Sequence, residues 1–395
     1  MARNGAGQGG LTRRQYVVSG IAASSGLLAG CTGEDGEGEE SGGAESEEGT
    51  GDESDGSSEG GDSYTVEMAP VGEVEFESVP ERVVTYFPGY ADMCVALGVE
   101  DSLIAMAETD RYHTEYYDEL DGVSIDTDGV EDILGESGID KEIFYELDAD
   151  LHLIDPEWLI NNDFFGLDED DIEEIDEAVA PFIGNTIFRR TDEWHDYEYY
   201  TLYEAFEKVT QVYQESERYE AFAEFHEEFI AGVQERLPEE RPNALLVFGD
   251  GDEPEAFSPY RLTDEGTNKK QFHDLGIEDA LSGTGIEGLS TSDRGQIDYE
   301  TMLDVDPDSL LVRGHEDKSA AEFEDTVVAF MEDHPVASEL TAVREGRVFR
   351  GGPIYQGPIQ NLFTTERAAQ EFFPEEFGDE ELFDRESIGG IVAGR

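Results

Sequence analysis

Two copies of one sequence pattern flank a single stretch of helical periodicity, and this arrangement limits the folds open to the chain. LGVEDSL at residues 97–103 is matched by LGIEDAL at residues 275–281, and residues 140–154 are matched in the same way by residues 298–312. In both copies a helical segment leads through an Asp-x-Asp turn into an apolar run typical of a buried strand. The duplication therefore predicts two α/β lobes with mostly parallel sheets.

The stretch between the copies, residues 216–237, carries apolar side chains at the three- and four-residue spacing of one helical face. Ser216 can cap its start, and Pro238 stops it. A helix of this length measures roughly 33 Å, about the diameter of a small domain. We therefore expect one stiff helix that joins an N-terminal lobe, residues 64–215, to a C-terminal lobe, residues 238–395.

Several boundaries within the lobes also follow from local patterns. Residues 182–185 are predicted to be a strand, and residues 193–214 a helix that leads into the long helix. Residues 364–373 are predicted to be the final helix, followed by an acidic tail.

The first 63 residues predict export and tethering rather than a folded domain. In residues 1–31, a pair of arginines before a weakly apolar run resembles a twin-arginine export signal. LAGC at residues 28–31 resembles a lipobox, in which Cys31 becomes the lipidated first residue; a chance Cys after a signal peptide is the alternative. Residues 32–63 are acidic and rich in Gly and Ser, so we expect a disordered tether.

The charge of the chain restricts its partners. The formal net charge is −73, with 97 acidic residues against 24 basic ones, which argues against nucleic acid as a partner. This composition resembles that of proteins from extreme halophiles, where multimolar salt screens repulsion within about 3 Å. Cys31 and Cys94 are the two cysteines, so no disulfide framework is expected, and Cys94 is predicted to be a buried apolar residue.

Sequence motifs of catalysis are missing. The chain has no G-x-S-x-G elbow, no H-E-x-x-H, no P-loop and no Cys/His zinc spacing. A lipid-anchored enzyme is therefore the weaker alternative to a binding protein. A surface module for a protein or a polysaccharide is another alternative, which a flat strip of aromatic residues would support.

Five short motifs resemble one protein family by their order along the chain. They are PERVV at residues 80–84, ALG at 96–98, LDADL at 147–151, VDPD at 305–308 and LTAVREGRV at 340–348. The class III solute-binding proteins of ABC importers carry such motifs in this order, and the resemblance covers residues 64–377. It implies two Rossmann-like lobes joined by a single long interlobe helix, the class III periplasmic-binding-protein fold.

The resemblance also implies a function. Members of this family capture ferric siderophores, haem or cobalamin in the cleft between the lobes. They deliver the ligand to a permease dimer with its ATPase at the outer face of the cytoplasmic membrane. We expect a monomer that binds an iron(III) chelate of the siderophore type, with haem and cobalamin as alternatives, and no resident cofactor.

Ligand contacts are expected where the parallel strands end. Arginine forks there suit anionic chelates that bear carboxylate or hydroxamate groups, and aromatic rings supply apolar walls. The candidates of these types are Tyr86, Tyr90, Arg111, Trp158, Arg189, Arg190, Trp194, Tyr260, Arg261, Arg294, Arg313, His315 and Tyr355. For any one Arg the alternative is a local salt bridge, and Tyr and His side chains that ligate bare iron are a weaker interpretation.

Two glutamates are candidates for contact with the permease. In the family that the chain resembles, one glutamate on each lobe meets arginines of the permease, and Glu142 and Glu300 hold that position here. Each follows an Asp by two residues at a predicted helix start. The alternative is that the Asp caps the helix and the Glu only complements the helix dipole.

Overall fold

The computed structural model describes residues 63–286 and 295–395. The predicted signal, Cys31, most of the predicted tether and Arg294 lie outside the described residues. The strands are β1 (Tyr64–Met68), β2 (Gly72–Phe76), β3 (Val83–Thr85), β4 (Leu103–Met106), β5 (Glu131–Asp132), β6 (Leu151–Leu153), β7 (Asn243–Gly249), β8 (Phe257–Tyr260), β9 (Glu278–Asp279), β10 (Ser309–Arg313) and β11 (Val348–Arg350). The helices are α1 (Pro88–Ala96), α2 (Glu142–Leu147), α3 (Pro156–Ile160), α4 (Glu169–Ala178), α5 (Leu202–Tyr213), α6 (Ser216–Arg236), α7 (Lys270–Asp274), α8 (Tyr299–Val305), α9 (Ala320–Phe323), α10 (Ala329–Asp333), α11 (Thr341–Arg344), α12 (Pro358–Phe372) and α13 (Arg385–Val392).

The N-terminal lobe is built on a parallel sheet with the strand order β5-β4-β3-β6. The strand predicted at residues 182–185 is reduced to one parallel bridge between Phe182 and His152. The chain leaves the sheet after this bridge because the N–H of Asn185 donates to the Tyr90 hydroxyl rather than to a strand. An antiparallel hairpin of β1 and β2, which the sequence pattern did not predict, precedes this sheet in the chain.

The C-terminal lobe repeats the parallel arrangement with the order β11-β10-β7-β8, and β9 pairs in parallel with β7. Strand β8 runs antiparallel to β7 at the edge of the sheet. Sequence reasoning missed β8 because its four residues include Pro259, which is tolerated in an edge strand. The predicted α/β class with mostly parallel sheets is confirmed.

The duplicated Asp-x-Asp motif has the same structural role in both lobes. Its first member, Asp148 or Asp306, ends the preceding helix in the left-handed conformation, with φ of 49° and 43°. Its second member fixes the central strand. Asp150 accepts a hydrogen bond of 2.9 Å from the backbone N–H just before β3, and Asp308 accepts one of 3.2 Å from the first N–H of β7. The repeated sequence therefore builds the same strand connection twice.

Three helices differ from the sequence expectation. Helix α5 begins at Leu202, not at residue 193, because Thr201 and Glu204 form a capping box there. Helix α12 begins at Pro358, six residues before the predicted start, and α13 lies in the tail where no helix was predicted. Polar side chains of α12 such as Gln360 are fully buried, which hides the amphipathic pattern.

The long helix α6 runs from Ser216 to Arg236, close to the predicted length. Cys94 is a buried free thiol, as predicted. Within the described ranges, no helix combines the length and the apolar character that crossing a membrane requires.

The two lobes also meet directly at their shared interface. Backbone N–H groups of Thr267 and Asn268 donate to the carbonyls of Ile187 and Phe188, at 2.9 and 3.4 Å. Gly266, with φ of +143°, lets the two backbones approach, since a Cβ there would lie 2.8 Å from a backbone carbon of the opposite segment. We call these paired segments, residues 187–188 and 266–268, the interlobe ribbon.

A second connection between the lobes is made by α1 and α12. Asp92 of α1 is fully buried, and its carboxylate accepts hydrogen bonds from the N–H groups of Ile359 and Gln360 at the start of α12. Gly89 and Gly357 allow the close approach, because a Cβ on Gly357 would lie 2.5 Å from the Gly89 carbonyl oxygen. The N-terminal lobe thus caps a helix of the C-terminal lobe.

Candidate ligand-binding cleft

Two adjoining cavities lie where the parallel strands of both lobes end. The first, which we call the aromatic cavity, has a volume of about 390 Å³. Its lining consists of Tyr86, Glu108, Arg111, Leu134, Trp158, Asn162, Phe164, Phe165, Phe188, Arg189, Phe248, Ile354 and Tyr355. The second, the acidic cavity, measures about 450 Å³ and shares Arg111, Phe248 and Ile354 with the first. The two together form a cleft between the lobes.

Aromatic rings from both lobes form the wall of the aromatic cavity. The Trp158 ring lies 5.7 Å from Tyr86 and 5.4 Å from Phe188, measured between ring centroids. Phe188 in turn lies 4.9 Å from Tyr355 of the C-terminal lobe. All four side chains are buried. Such a wall presents a rigid apolar surface to a ligand.

Arg189 is held against this wall. Its guanidinium lies 4.9 Å from the ring centroids of both Trp158 and Phe188. Its Nε also pairs with Asp192 at 3.0 Å, and the Arg189 side chain is only 9% exposed. The planar cation is therefore fixed in place before any ligand arrives.

Arg111 and Glu108 form the other charged pair of the aromatic cavity. Arg111 Nη1 lies 3.1 Å from Glu108 Oε2, and the Arg111 side chain is 44% exposed against 18% for Glu108. The Tyr86 hydroxyl donates to the other Glu108 oxygen at 3.4 Å. Burial raises the pKa of Glu108, whereas the charge of Arg111 acts to lower it. Glu108 lies two residues after the end of β4 and has a φ of +55°, a strained value for a residue other than Gly.

The two tyrosine hydroxyls of the cavity remain protonated at ordinary pH. Burial raises the pKa of Tyr86, and nearby Tyr355 and Glu108 raise it further. Burial likewise raises the pKa of Tyr355, with Glu108 as the next cause. Both groups can therefore serve as hydrogen-bond donors and not as phenolates.

The acidic cavity contains one carboxylate that is already fully engaged. Burial would raise the pKa of Glu316, but Arg367 and Arg350 bring it below its usual value. Glu316 pairs with Arg367 at 2.9 Å and accepts a hydrogen bond of 2.9 Å from the N–H of Gly352. Asp110, His113 and Asp317 complete the polar part of the lining.

Five of the candidate ligand contacts named from the sequence come together in the aromatic cavity: Tyr86, Arg111, Trp158, Arg189 and Tyr355. Other candidates lie elsewhere. Arg190 packs over the ring of Tyr197, 4.4 Å from its centroid, and Trp194 contacts Trp158 from outside the cavity lining at 6.2 Å. The Tyr90 hydroxyl donates to the Asn185 carbonyl at 2.8 Å and so holds the end of the N-terminal sheet.

The remaining candidates of the C-terminal lobe make contacts within that lobe. Arg313 is fully buried, and its Nε donates to the Gly351 carbonyl at 3.2 Å. Its guanidinium lies 5.0 Å from the ring centroid of Tyr260. Arg261 donates to the Leu281 carbonyl at 3.2 Å. His315 is buried beside Phe323, with ring centroids 5.7 Å apart, and burial lowers its pKa.

Phe188 and Glu108 are among the lining residues that sequence reasoning missed. Phe188 directly precedes Arg189, but the loop that carries both was not predicted to turn back onto Trp158. Glu108 lies two residues after the end of β4, and strand ends are the positions that nominated the other candidates. The sequence did not single out Glu108 as a candidate because carboxylates are so abundant in this chain.

Glu142 and Glu300 are both exposed, each in the first turn of its helix. The N–H of Glu142 donates to Asp140 at 3.0 Å, and the N–H of Thr301 donates to Asp298 at 2.9 Å. Both Asp residues therefore stabilise helix starts. This leaves the two Glu side chains at equivalent places on the two lobes, since α2 leads into β6 as α8 leads into β10.

In the part of the chain that the structure describes, the side chains that could ligate a bare metal ion lie apart from one another. Across residues 63–286 and 295–395, no cluster of three or more His, Cys, Asp or Glu side chains has a geometry that could hold one.

Comparison with known proteins identifies the fold at the level of the family. No curated protein sequence matches the chain significantly. Among solved structures, the petrobactin-binding protein YclQ from Bacillus subtilis is similar, with a TM-score of 0.56 and 15% identity over 79% of this chain and 99% of that one.

Two further structures are similar to the same extent. The iron uptake ABC transporter substrate-binding protein PiuA from Streptococcus pneumoniae has a TM-score of 0.52 and 16% identity, over 78% of this chain and 98% of that one. The haem-binding protein HmuT has a TM-score of 0.54 and 15% identity, over 80% and 91%. The family model described as periplasmic binding protein matches residues 83–355. With two α/β lobes, a long connecting helix and a cleft between them, the chain belongs to the periplasmic binding protein family.

Proposed function

We propose that the chain is the lipid-anchored, extracytoplasmic solute-binding protein of an ABC importer, and that it captures an anionic iron(III) chelate of the siderophore type. The observation that carries the proposal is the aromatic cavity with its two guanidinium groups, Arg111 and Arg189. Delivery would be to a permease dimer with its ATPase. The anchor would be Cys31, on the strength of the lipobox resemblance alone.

The chemistry of the cavity suits such a ligand. A ferric chelate brings its own iron ligands, so the protein needs to supply only shape, apolar walls and charge. Trp158 and Phe188 provide the walls, and the guanidinium that they hold provides fixed N–H donors for carboxylate or hydroxamate oxygens. The two adjoining cavities fall in the volume range of about 300–1,000 Å³ that is usual for small-molecule sites. The names of YclQ and PiuA, which refer to a siderophore and to iron uptake, support this ligand class.

Haem is the second candidate, favoured by the similarity to HmuT. Proteins that bind haem usually supply an axial His, Cys, Met or Tyr. Of these types the aromatic cavity offers Tyr86 and Tyr355, and both side chains are almost fully buried in its wall. A chelate whose iron is already saturated therefore fits these side chains better. Cobalamin stays an alternative on family grounds only.

Titration of the intrinsic tryptophan fluorescence tests the proposal, because Trp158 lines the cavity. Ferric siderophores should quench this fluorescence with a saturable dependence on concentration. Arg189→Ala should weaken the binding by about 1–3 kcal/mol, since it removes a charged donor. Arg190→Ala is the matched control, because its guanidinium packs on Tyr197 outside the cavity, and it should leave the affinity unchanged.

The opposite results would contradict the assignment. If ferric siderophores give no response while haem, cobalamin or a sugar binds tightly, the chelate class is wrong. If the two Arg variants weaken binding equally, the ligand does not sit against the Trp158 wall.

A further inference from the structure

We propose that Glu108 is an internal anion that occupies Arg111 when no ligand is bound, so that capture of a ligand transfers Arg111 from Glu108 to the ligand. Glu108 thereby determines which ligand charge the cleft accepts. The inference rests on the proposed function, because it concerns the specificity of the same cleft.

Glu108 and Arg111 lie side by side in the aromatic cavity. Among the described residues that line the aromatic cavity, Glu108 is the one carboxylate. It lies 3.1 Å from Arg111, the more exposed of the two cavity arginines. Arg189 is already paired with Asp192 and stacked on two rings, so it can rearrange little. An anionic ligand that approaches Arg111 therefore meets Glu108 in the place that its own anionic group would take.

The backbone at Glu108 has an unusual conformation. Its φ is +55°, which lies in the left-handed region that Gly or Asn adopts more readily than Glu does. An ordinary surface salt bridge does not need a strained backbone or a second donor. Here the Tyr86 hydroxyl, on a side chain that is only 1% exposed, holds the other carboxylate oxygen. In this conformation the Glu108 carboxylate lies in the cavity lining, where each of its two oxygens has a partner.

Arg111 is the counter-charge of Glu108 among nearby carboxylates. Asp110 and Asp132 act to raise the pKa of Glu108 further, and Arg111 is the cation that opposes them. When a ligand anion takes Arg111 away, Glu108 loses its counter-charge and faces the ligand at close range. An anionic ligand therefore binds against the repulsion of Glu108 or at the cost of its protonation, whereas a ligand with a cationic group replaces the lost counter-charge.

Two chelates of opposite charge test this inference. Iron(III) citrate serves as the anionic probe, and ferrioxamine B, which carries a protonated amine, serves as the cationic probe. Each is titrated by tryptophan fluorescence against the unaltered protein, Glu108→Gln and Glu131→Gln. Glu131 is an exposed carboxylate on β5 of the same lobe, outside the cavity lining, so its variant controls for net charge.

Glu108→Gln is close to isosteric and should keep the fold, which a thermal melt verifies. It should bind the anionic probe on the order of tenfold more tightly and the cationic probe more weakly, because one charge near the ligand is lost. Glu131→Gln should change neither affinity. A merely structural role for Glu108, in which it only positions Arg111, would weaken both probes.

The outcomes separate the inference from the proposed function. If both probes shift in the same direction, or if Glu108→Gln behaves like Glu131→Gln, the inference is wrong while the binding function stands. If neither probe binds even the unaltered protein, the proposed binding of ferric chelates fails, and the inference fails with it.

Discussion

Replacement of Asp92 by Asn measures what the connection between α1 and α12 contributes to stability. One Asp92 oxygen accepts a hydrogen bond of 2.6 Å from the Tyr117 hydroxyl. The other accepts from the N–H groups of Ile359 at 2.8 Å and Gln360 at 3.3 Å. These N–H groups belong to the first turn of α12, where no partner exists within the helix. The buried carboxyl is therefore the cap of this helix.

The pKa of Asp92 determines whether the stability of the protein rises or falls with pH. Burial raises the pKa of Asp92 to about 7, although the three donors act to lower it. In an unfolded chain the value is about 3.9. Because the folded pKa is the higher one, this group's contribution to stability is fully present below about pH 4 and is lost as the pH rises through about 7. Three pKa units correspond to about 4 kcal/mol over this window.

Asn imitates the protonated acid at every pH. Its oxygen can accept from the α12 N–H groups while its amide donates to Tyr117, whose own hydroxyl can then donate to Tyr112 at 2.8 Å. Asp92→Asn should therefore lack the pH-dependent loss of stability. The free energy of unfolding of the variant minus that of the unaltered protein should rise by up to about 4 kcal/mol between pH 4 and pH 8.

Urea unfolding in molar potassium chloride, followed by circular dichroism at several pH values, provides the measurement. Burial also raises the pKa of Asp155 to about 6 and of Glu371 to about 7, but both groups are present in the two proteins and cancel in the difference. Asp92→Ala leaves the N–H groups without a partner and should be less stable by about 2–4 kcal/mol at low pH. Parallel pH profiles for the Asn variant and the unaltered protein would refute the reasoning.

Three other predictions concern docking, anchoring and the interlobe ribbon. Glu142→Ala combined with Glu300→Ala should leave ligand affinity unchanged and sharply reduce uptake by cells; normal uptake would leave both residues as helix-start glutamates only. Cys31→Ser should release the protein into the culture medium, and retention in the membrane fraction would point to another anchor. Gly266→Ala should lower the stability by about 1–3 kcal/mol in thermal melts, because a Cβ would meet the opposite backbone. Gly251→Ala, with open space around it, is the control and should cost clearly less.

The duplicated sequence made the two-lobed fold predictable. In each Asp-x-Asp pair the first Asp ends a helix, and the second accepts a hydrogen bond from the backbone at the start of a strand that lies 68 or 65 residues earlier in the chain, so the repeated motif marks the same strand connection in both lobes. The edge strand β8 and the buried helix α12 were harder to predict. β8 is only four residues long and contains Pro259, and α12 buries polar side chains as well as apolar ones, so neither shows a clean period of its own.

The site was only partly predictable for a related reason. Strand ends can be inferred from the sequence, and that rule correctly brought Tyr86, Trp158 and Tyr355 into one cavity. It cannot tell which way a side chain leaves the strand end. Arg313 follows the same rule and yet turns into the core of its lobe, where the Gly351 carbonyl accepts its hydrogen bond. Whether the residues of the cavity contact a ligand stays a prediction.

The interlobe ribbon has a consequence for any attempt to divide the protein. Separation of the lobes would leave the carbonyls of residues 187–188 and the N–H groups of residues 267–268 without partners, each beside freshly exposed aromatic rings. Unpaired backbone next to apolar surface is what promotes pairing between molecules and aggregation. A single lobe expressed for binding studies would therefore need polar substitutions or a fused domain to cover this edge. Cleavage of the backbone in an exposed loop such as residues 251–253, by contrast, would leave the interlobe ribbon intact.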